Sequence, residues 1–421
     1  MSREDPVAAF ERVAAGHRRC VWLDGGGARA WSRRRSIVGW LEESDVSMTY
    51  DASRREVTRH ADGRAEVVGD DPFAALEAEI AAGSASDQWF GYFGYAARHD
   101  LPASPDPDLP DAVWMRPSHI RFFDHDEEVP ALASAPTSSA GRPPPEYRAA
   151  FDAVQEHLRA GNSYEVNLTH RIRVPSDVDP VRAYLRLRAV NPAPYAGFLQ
   201  HDVELPDRRG RAWLLSSSPE RYALVTADRT LETKPIKGTT QRGTTPEEDA
   251  AAKERLATDP KFRAENLMIV DLLRNDLSVV CEVGSVEVPV LMDVESYASV
   301  HQLVSTVRGR LRDDVSTVGA LRALFPAGSM TGAPKLRTME IVAGVEDSPR
   351  GAYAGAFGWI SGDGRADLGV VIRTLLTDGS GDYLLGTGGG ITVQSDVAEE
   401  YAETRWKAER LLSALSASSS G

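Results

Sequence analysis

Cysteine is scarce in this sequence, basic residues are outnumbered by acidic ones, and long apolar runs are missing. Two cysteines, Cys20 and Cys281, occur in 421 residues, so neither a disulfide framework nor a cysteine-based zinc site is expected. The net charge of −14 argues against a nucleic-acid-binding surface. No run of about 18 apolar residues could span a membrane, and the charged N-terminal segment is unlike a signal peptide. We therefore predict a cytoplasmic protein that binds neither nucleic acid nor membrane.

The glycine-rich loops of the common nucleotide-binding folds are also missing. GSMTGAPK (328–335) departs from the glycine spacing of a P-loop. GTGGGI (386–391) has Ile391 where a dinucleotide-binding loop needs its third glycine. Binding of ATP or NAD is therefore not predicted.

The composition is that of an ordinary globular protein, with 42% hydrophobic and 26% charged residues. The length indicates two domains or one large fused domain. A segment rich in Pro, Ser and Ala (125–146) is predicted to link an N-terminal region (1–124) to a larger region (147–412). Residues 413–421 are predicted to form a disordered tail. Helical and strand patterns alternate irregularly, which favours an α+β fold.

One carboxylate occurs where a buried helix is predicted. In AENLMIVDLLRNDL (264–277), helical periodicity gathers Asp271, Arg274 and Asn275 on one polar face. Glu265 projects into the apolar arc, where a charge has to be hydrated at the helix end, paired or bound to a metal. Two interpretations of Glu265 agree with this pattern. It is either a residue near the helix N-terminus that the helix dipole stabilises, or a ligand.

A second helical pattern carries two more carboxylates. In VAEEYAETRWKAERLL (397–412), Glu400 and Glu403 lie three residues apart on the flank of an apolar stripe. One interpretation is a solvated face with a Glu403–Lys407 pair at the favourable i, i+4 spacing. The other is a metal site shared by two helices, because Mg²⁺ prefers one or two carboxylates together with substrate oxygens and water.

Arg373 interrupts the apolar strand pattern DLGVVIRTLL (367–376). A guanidinium within a strand needs an anionic partner, either a bound carboxylate or an internal Asp or Glu. The segment GTGGGI (386–391) is predicted to form a turn after the next strand. Its glycines are expected either to let backbone N–H groups approach an anion or to make a tight turn only.

Lys237 lies in TKPIKGTTQRG (233–243), between Ile236 and Gly238. By itself, a lysine beside a glycine turn is predicted to be a solvated surface group, because lysine is rarely buried without a partner. An amine that attacks a substrate is the other interpretation. The remaining motifs of the chain decide between the two.

Eight short motifs in this order resemble those of the chorismate-utilising enzymes. They are SSSPERY (216–222), PIKGT (235–239), RAENLMIVDLLRND (263–276), VHQLVSTV (300–307), GSMTGAPK (328–335), VIRT (371–374), GTGGGI (386–391) and ETRWKA (403–408). The resemblance extends over residues 147–412, and the N-terminal segment resembles the family's smaller region only loosely. It implies a large mixed α/β chorismate-binding fold with two packed antiparallel β-sheets surrounded by helices.

The resemblance also implies roles for individual residues. Glu265 and Glu403 are implied ligands of Mg²⁺, with Glu400 beside them. Glu220 is implied to be the general acid that protonates the departing C4 hydroxyl of chorismate, a step that suits a carboxylic acid with a raised pKa. The implied chorismate-binding residues are Thr239, Gly328, Ser329, Thr331, Gly332, Tyr353, Arg373, Gly388, Gly389, Gly390 and Lys407.

Lys237 distinguishes two branches of the family. Anthranilate synthases carry alanine at this position, whereas aminodeoxychorismate synthases carry lysine. In the latter the amine attacks C2 of chorismate as the C4 hydroxyl leaves, and ammonia then adds at C4 and expels the lysine. The resemblance therefore implies that Lys237 is the nucleophile of a component I of this branch, with its pKa lowered by nearby Mg²⁺. A component I of anthranilate synthase and a non-catalytic chorismate-binding homologue are the alternatives.

No Cys-His-Glu glutaminase is evident in the sequence, so ammonia is expected to come from a separate glutamine amidotransferase subunit. The chain also departs from the family at three positions. Glu165 stands where isochorismate and salicylate synthases carry a water-activating lysine and many relatives carry glutamine, which argues against water as the nucleophile. Phe262 replaces an acidic residue, and Gln302 replaces a histidine.

Overall fold

The computed structural model describes residues 5–25, 35–125, 141–205, 208–297 and 300–416. Most of the predicted linker and the end of the predicted tail lie outside these residues. The helices are α1 (Pro6–Gly16), α2 (Pro72–Ala82), α3 (Pro145–Arg159), α4 (Pro180–Val190), α5 (Pro246–Thr258), α6 (Pro260–Val280), α7 (Thr317–Leu324), α8 (Gly328–Thr331), α9 (Lys335–Val345) and α10 (Val397–Leu415). No helix within the described ranges combines the length and the apolar character needed to cross a membrane.

The strands are antiparallel to their partners and fall into two sheets. They are β1 (Arg19–Asp24), β2 (Arg35–Trp40), β3 (Ser47–Asp51), β4 (Glu56–Ala61), β5 (Arg64–Gly69), β6 (Gln88–Phe93), β7 (Ala112–Met115), β8 (His119–Asp124), β9 (Glu165–Pro175), β10 (Tyr195–Leu205), β11 (Arg208–Ser218), β12 (Arg221–Val225), β13 (Thr230–Lys234), β14 (Ile236–Gln241), β15 (Glu287–Ser296), β16 (Val300–Arg310), β17 (Gly332–Ala333), β18 (Ala356–Ser361), β19 (Ala366–Val370), β20 (Thr374–Thr377) and β21 (Asp382–Ile391). The first sheet has the order β17-β9-β21-β20-β11-β10-β1-β2-β8. The second has the order β14-β16-β13-β12-β19-β18-β6-β7-β3-β4-β5, with β15 paired to β16.

The two sheets pack against each other and are covered by helices. Apolar side chains of both sheets, such as Leu199, Leu214 and Phe357, form the layer between them. Helices α1, α4 and α10 cover the other face of the first sheet, and α2, α6 and α7 pack on the second. Burial of apolar surface on both sides of each sheet is the main stabilising contribution. The predicted α+β fold with two packed antiparallel sheets is confirmed.

The regions on either side of the predicted linker share both sheets. Strands β1, β2 and β8 of the N-terminal region (1–124) extend the first sheet beyond β10, and β6 pairs with β18 in the second. The boundary predicted between them therefore does not divide the sheets. At the other end, α10 continues past residue 412 and buries Ala414 and Leu415, so the first residues of the predicted tail are helical.

Several local elements lie where their sequence patterns predict them. The helix predicted at 147–161 corresponds to α3, and the hairpin predicted at 221–234 is β12–β13. Helix α6 begins at Pro260, after the Asp259 side chain accepts a hydrogen bond from the backbone N–H of Lys261. This start precedes the predicted residue 264. Glu265 therefore lies in the second turn of α6, beyond the region where the helix dipole would stabilise a carboxylate most.

Two segments differ from their predictions, and both border the site described below. The strand predicted at 367–376 is broken, because β19 belongs to the second sheet and β20 to the first. Arg373 lies between them with a φ of 50°. The run resembles one strand in sequence because both pieces are buried and apolar. The segment 386–391, predicted as a turn, lies in β21, where Gly388 pairs with Thr169 of β9.

Candidate active site

A cavity opens where β14 and β21 approach helices α6, α8 and α10. Connections between strands complete its walls. The lining residues are Asn167, Pro219, Glu220, Ile236, Lys237, Gly238, Thr239, Lys261, Phe262, Glu265, Gln302, Ser329, Met330, Tyr353, Ile372, Arg373, Gly388, Gly389, Gly390, Glu400, Glu403 and Lys407. Acidic and basic side chains thus meet in one concave site, which is typical of a site for a charged small molecule.

The cavity brings together most of the residues predicted for the site. The predicted catalytic residues Glu220 and Lys237 line it, as do the predicted metal ligands. So do Thr239, Ser329, Tyr353, Arg373, Gly388, Gly389, Gly390 and Lys407. Gly328, Thr331 and Gly332 lie behind the wall, where Thr331 is fully buried and its hydroxyl donates to the Gly328 carbonyl at 3.2 Å.

Lys237 is buried on β14 and pairs with a carboxylate of β9. Its Nζ donates a hydrogen bond to Glu165 Oε1, and no other described residue accepts a hydrogen bond from it. Burial lowers the pKa of Lys237, but Glu165, Glu265 and Glu220 together outweigh burial, so the pKa stands above its usual value. The protein's own residues therefore hold Lys237 as an ammonium, and the lowering expected from nearby Mg²⁺ is not part of this balance.

Glu220 faces the same cavity from the connection between β11 and β12, and it is buried. Burial raises its pKa to about 7, against opposing contributions from a hydrogen bond with Ser329 and from the charge of Lys237. A carboxyl group with such a pKa is partly protonated near neutral pH and can donate a proton. The protonation state expected of a general acid is therefore available at this position.

Glu265 enters the cavity from α6. It continues the buried face of the helix, one turn before Ile269 and two before Leu273. Burial raises its pKa to about 7, with Lys237 opposing the shift. Its Oε1 is buried and has no hydrogen-bond partner among the described residues. A buried oxygen without a partner is costly unless it serves a ligand.

Glu400 and Glu403 face the cavity from α10. Glu400 accepts hydrogen bonds from Ser395 Oγ at 2.7 Å and from Lys261 Nζ at 3.2 Å, and burial raises its pKa. Glu403 pairs with Lys407 at 2.6 Å, and this cation lowers the pKa of Glu403. The pair expected at the i, i+4 spacing therefore exists, and both of its members line the cavity.

These acidic residues fit a Mg²⁺ ion that takes some of its ligands from substrate and water. Within the described residues, no three Asp, Glu, His or Cys side chains converge closely enough to hold a metal by themselves. Mg²⁺ commonly takes one or two protein carboxylates and keeps several waters. The unpartnered Oε1 of Glu265 is an oxygen suited to that role, with Glu403 facing the same cavity.

Arg373 presents a cation to the cavity from the break between β19 and β20. Its guanidinium donates no hydrogen bond to any described residue, although the carboxylates of Glu403 and Glu220 act on its charge. Burial lowers the pKa of Arg373, while Tyr353, Glu403 and Glu220 oppose the shift. Its positive φ is a conformation that non-glycine residues adopt at a cost, often at functional sites. A carboxylate of a ligand suits this side chain.

Gly389 and Gly390 leave room for the charged side chains of the cavity. A Cβ on Gly390 would overlap Glu165 Oε1 and lie 3.1 Å from Lys237 Nζ. A Cβ on Gly389 would lie 3.3 Å from Glu400 Oε2. Both residues are in the extended strand β21, so the predicted turn does not form.

Asn167 and Lys261 are polar lining residues that were not identified from the sequence. Asn167 Nδ2 donates to the Ser329 carbonyl at 2.9 Å, and its Oδ1 is buried without a partner among the described residues. Its spacing could have revealed it, because Asn167 and Glu165 share one face of a strand. Lys261 precedes Glu265 by four residues, a spacing that brings both side chains to one face of a helix.

Known proteins resemble this chain over most of its length. Residues 133–413 match the family model described as chorismate binding enzyme. An aminodeoxychorismate synthase from Streptomyces pristinaespiralis is 38% identical over 466 aligned positions, which cover 98% of this chain and 64% of that protein. The aminodeoxychorismate synthase component 1 of Klebsiella aerogenes is 39% identical, with 77% of this chain and 76% of that protein covered.

The fold also matches a solved structure. The crystal structure of anthranilate synthase component I from Streptococcus pneumoniae TIGR4 superposes with a TM-score of 0.73 at 25% identity, and the match covers 97% of each chain. This chain spans less than two thirds of the S. pristinaespiralis relative. The family model nevertheless covers more than half of the chain, including every residue that lines the cavity. This chain therefore belongs to the family of chorismate binding enzymes.

Proposed function

We propose that this chain aminates chorismate at C4, forming 4-amino-4-deoxychorismate from chorismate and ammonia. The observation that carries the proposal is Lys237, a buried amine in the cavity that also contains Glu220, whose pKa is about 7. A nucleophile and a proton donor facing one cavity are the two groups that the reaction requires. Two relatives named aminodeoxychorismate synthase, at 38% and 39% identity, support the same assignment.

The two groups divide the first step between them. The neutral amine of Lys237 forms a bond to C2 of chorismate, the two ring double bonds shift, and the C4–O bond breaks. Glu220 supplies the proton with which the C4 oxygen leaves as water. Ammonia then bonds to C4, the double bonds shift back, and the bond from C2 to Lys237 Nζ breaks. One difficult substitution is thereby replaced by two easier ones.

Other cavity residues would hold the anionic groups of chorismate. Arg373 has guanidinium donors that no described residue uses, so it is suited to bind a substrate carboxylate. Glu265 and Glu403, with Glu400 beside them, would hold Mg²⁺, which when bound supplies positive charge for a carboxylate. Lys407, held by Glu403 and by the Gly388 carbonyl at 2.8 Å, lines the same region.

Ammonia is proposed to come from a separate glutamine amidotransferase subunit. The K. aerogenes relative is named a component 1, which supports a second component. The chain alone should therefore use ammonium salts but not glutamine. Efficient turnover with glutamine by the purified chain would contradict this part of the proposal.

The test is identification of the product. The purified chain is incubated with chorismate, Mg²⁺ and ammonium, and products are separated by liquid chromatography and mass spectrometry. We expect 4-amino-4-deoxychorismate from the wild type and none from Lys237→Ala. Anthranilate as the product would place the chain in the other aminating branch. Binding of chorismate without conversion would indicate a non-catalytic homologue.

A further inference from the structure

We propose that Glu165 is a positioning residue that fixes the amine of Lys237 at the cavity wall and accepts its proton before the amine attacks. The inference rests on the proposed function, because it concerns the same amine. It adds a role for a buried carboxylate that the proposed function leaves unused.

The geometry ties these two residues to each other. Glu165 is fully buried at the start of β9, and its Oε1 accepts the hydrogen bond from Lys237 Nζ. Its Oε2 is buried and has no partner among the described residues. Gly390 opposite has no Cβ, and any side chain there would displace Glu165 Oε1. The absence of a side chain at Gly390 therefore leaves room for the Glu165–Lys237 pair. Within the described residues, Glu165 Oε2 remains available to a further hydrogen-bond donor.

The other carboxylates around Lys237 have other tasks. Glu220 faces Lys237 from the connection between β11 and β12, and it has to be protonated to release the C4 hydroxyl. Glu265 faces Lys237 from α6, and Lys261 and Glu400 in turn face Glu265. Glu265 is the proposed metal ligand. Glu165 is thus the carboxylate that is in hydrogen-bond contact with the amine and has no second task.

The protons balance over the whole cycle. A proton moves from Lys237 Nζ to Glu165 Oε1, leaving a neutral amine and a neutral carboxyl group. The amine bonds to C2 and becomes a secondary ammonium, while Glu220 gives its proton to the departing hydroxyl. Ammonia at C4 expels Lys237 as a neutral amine, and Glu220 recovers a proton from the new ammonium group. Glu165 then returns its proton to Lys237, and the ion pair is restored.

This internal transfer predicts a specific pH dependence. In the wild type the proton stays within the pair, so the reactive form carries the same number of protons as the resting form. In Glu165→Gln the amide accepts a hydrogen bond but no proton, so the amine has to lose its proton to solvent. The ratio of the variant's adduct formation rate to that of the wild type should then rise about tenfold per pH unit until the amine is neutral. Glu220 ionises in both proteins, whereas loss of the Glu165 charge lowers the pKa of Glu265, so the ratio is read above the pKa of Glu265, which is about 7 in the wild type.

The experiment measures adduct formation by rapid quench and intact-protein mass spectrometry. Chorismate and Mg²⁺ are present, ammonia is absent, and the pH runs from about 6 to 9, where these groups titrate. Glu165→Asp, which keeps a carboxylate, should give a ratio to wild type that does not change with pH. Glu295→Gln is the matched control, because Glu295 pairs with Lys234 at 2.6 Å outside the cavity. It too should give a constant ratio.

The outcomes separate this inference from the function on which it rests. A constant ratio for Glu165→Gln, with the adduct formed in the wild type, would overturn the role of Glu165 and leave the proposed function standing. No adduct in the wild type would overturn both. Glu165→Ala removes the acceptor without adding bulk, and it is expected to show the same rising ratio if the glutamine variant fails to fold.

Discussion

Lys237 and Lys335 both pair with carboxylates, yet of these two lysines Lys237 alone faces the cavity. Lys335 Nζ lies 2.7 Å from Asp276 and donates to the Leu324 carbonyl at 2.7 Å. Burial lowers the pKa of Lys335, and Asp276 opposes the shift. Around Lys237 the carboxylates outweigh burial, and its pKa is raised.

The difference shows that a perturbed pKa alone does not single out the amine proposed to react. The pKa of Lys335 is lowered from its usual value, whereas that of Lys237 is raised. Lys335 nevertheless contacts Asp276 of α6 and the Leu324 carbonyl at the end of α7, and so it joins these helices to α9. Lys237 has one protein partner among the described residues and faces a space where a substrate can lie. Access to a ligand, rather than burial, distinguishes the proposed reactive pair from the structural one.

Removing Lys237 should have the largest effect on chemistry. Lys237→Ala is expected to lose about 10³-fold or more in C4 amination, because the nucleophile is gone. Lys237→Arg should do no better, since a guanidinium stays protonated. Binding of chorismate, followed by calorimetry, should persist in both variants. Wild-type turnover by the alanine variant would make Lys237 equivalent to Lys335, a structural residue.

Removing Lys335 should act on stability instead. Lys335→Ala leaves Asp276 buried without its cation, which is expected to lower the free energy of unfolding by about 3–5 kcal/mol. Urea denaturation measures the loss, and the folded fraction should aminate chorismate at close to the wild-type rate. A variant of unchanged stability but with lost turnover would reverse the assignment of the two lysines.

The proposed metal site sharpens the comparison of the two lysines. Helix α6 carries Glu265 near Lys237 and Asp276 beside Lys335. Glu265→Gln should weaken Mg²⁺ binding at least about 10-fold, as loss of metal-site groups commonly does. Asp276→Asn is the matched control and should bind Mg²⁺ as the wild type does. Titration calorimetry without substrate provides the measurement, and chelation should abolish amination. Equal affinities in the two variants would contradict the metal site.

The mildest perturbation is a change of pH, which should reveal a limb set by Glu220. Its pKa is about 7, and only the protonated form can donate to the C4 oxygen. The rate of adduct formation in the wild type should therefore fall about tenfold per pH unit above that value. Glu220→Gln should remove the limb along with most of the activity. A rate that climbs steadily to pH 9 would show that Glu220 is not the acid.

Much of the site could be predicted from the sequence, because its residues occur in short motifs with local causes. Glu265 in an apolar helical arc and Glu403 four residues before Lys407 follow from helical periodicity, which the neighbouring residues of one helix determine. The raised pKa expected of Glu220 agrees with its burial in the cavity. Arg373 was recognised as a charge in an apolar run, although the run proved to be two strands.

Only the tertiary structure could show which residues are partners. Glu165 and Lys237 are 72 positions apart, and their contact depends on where β9 and β14 lie relative to each other. Strand register across a sheet is determined by packing and by distant strands, not by the local pattern. Packing between distant strands also places N-terminal strands in both sheets and makes the glycines of β21 part of an extended strand. The sequence by itself therefore determined the family, the helices and the chemical groups, and the tertiary structure decided that Lys237 is held by the carboxylate of Glu165.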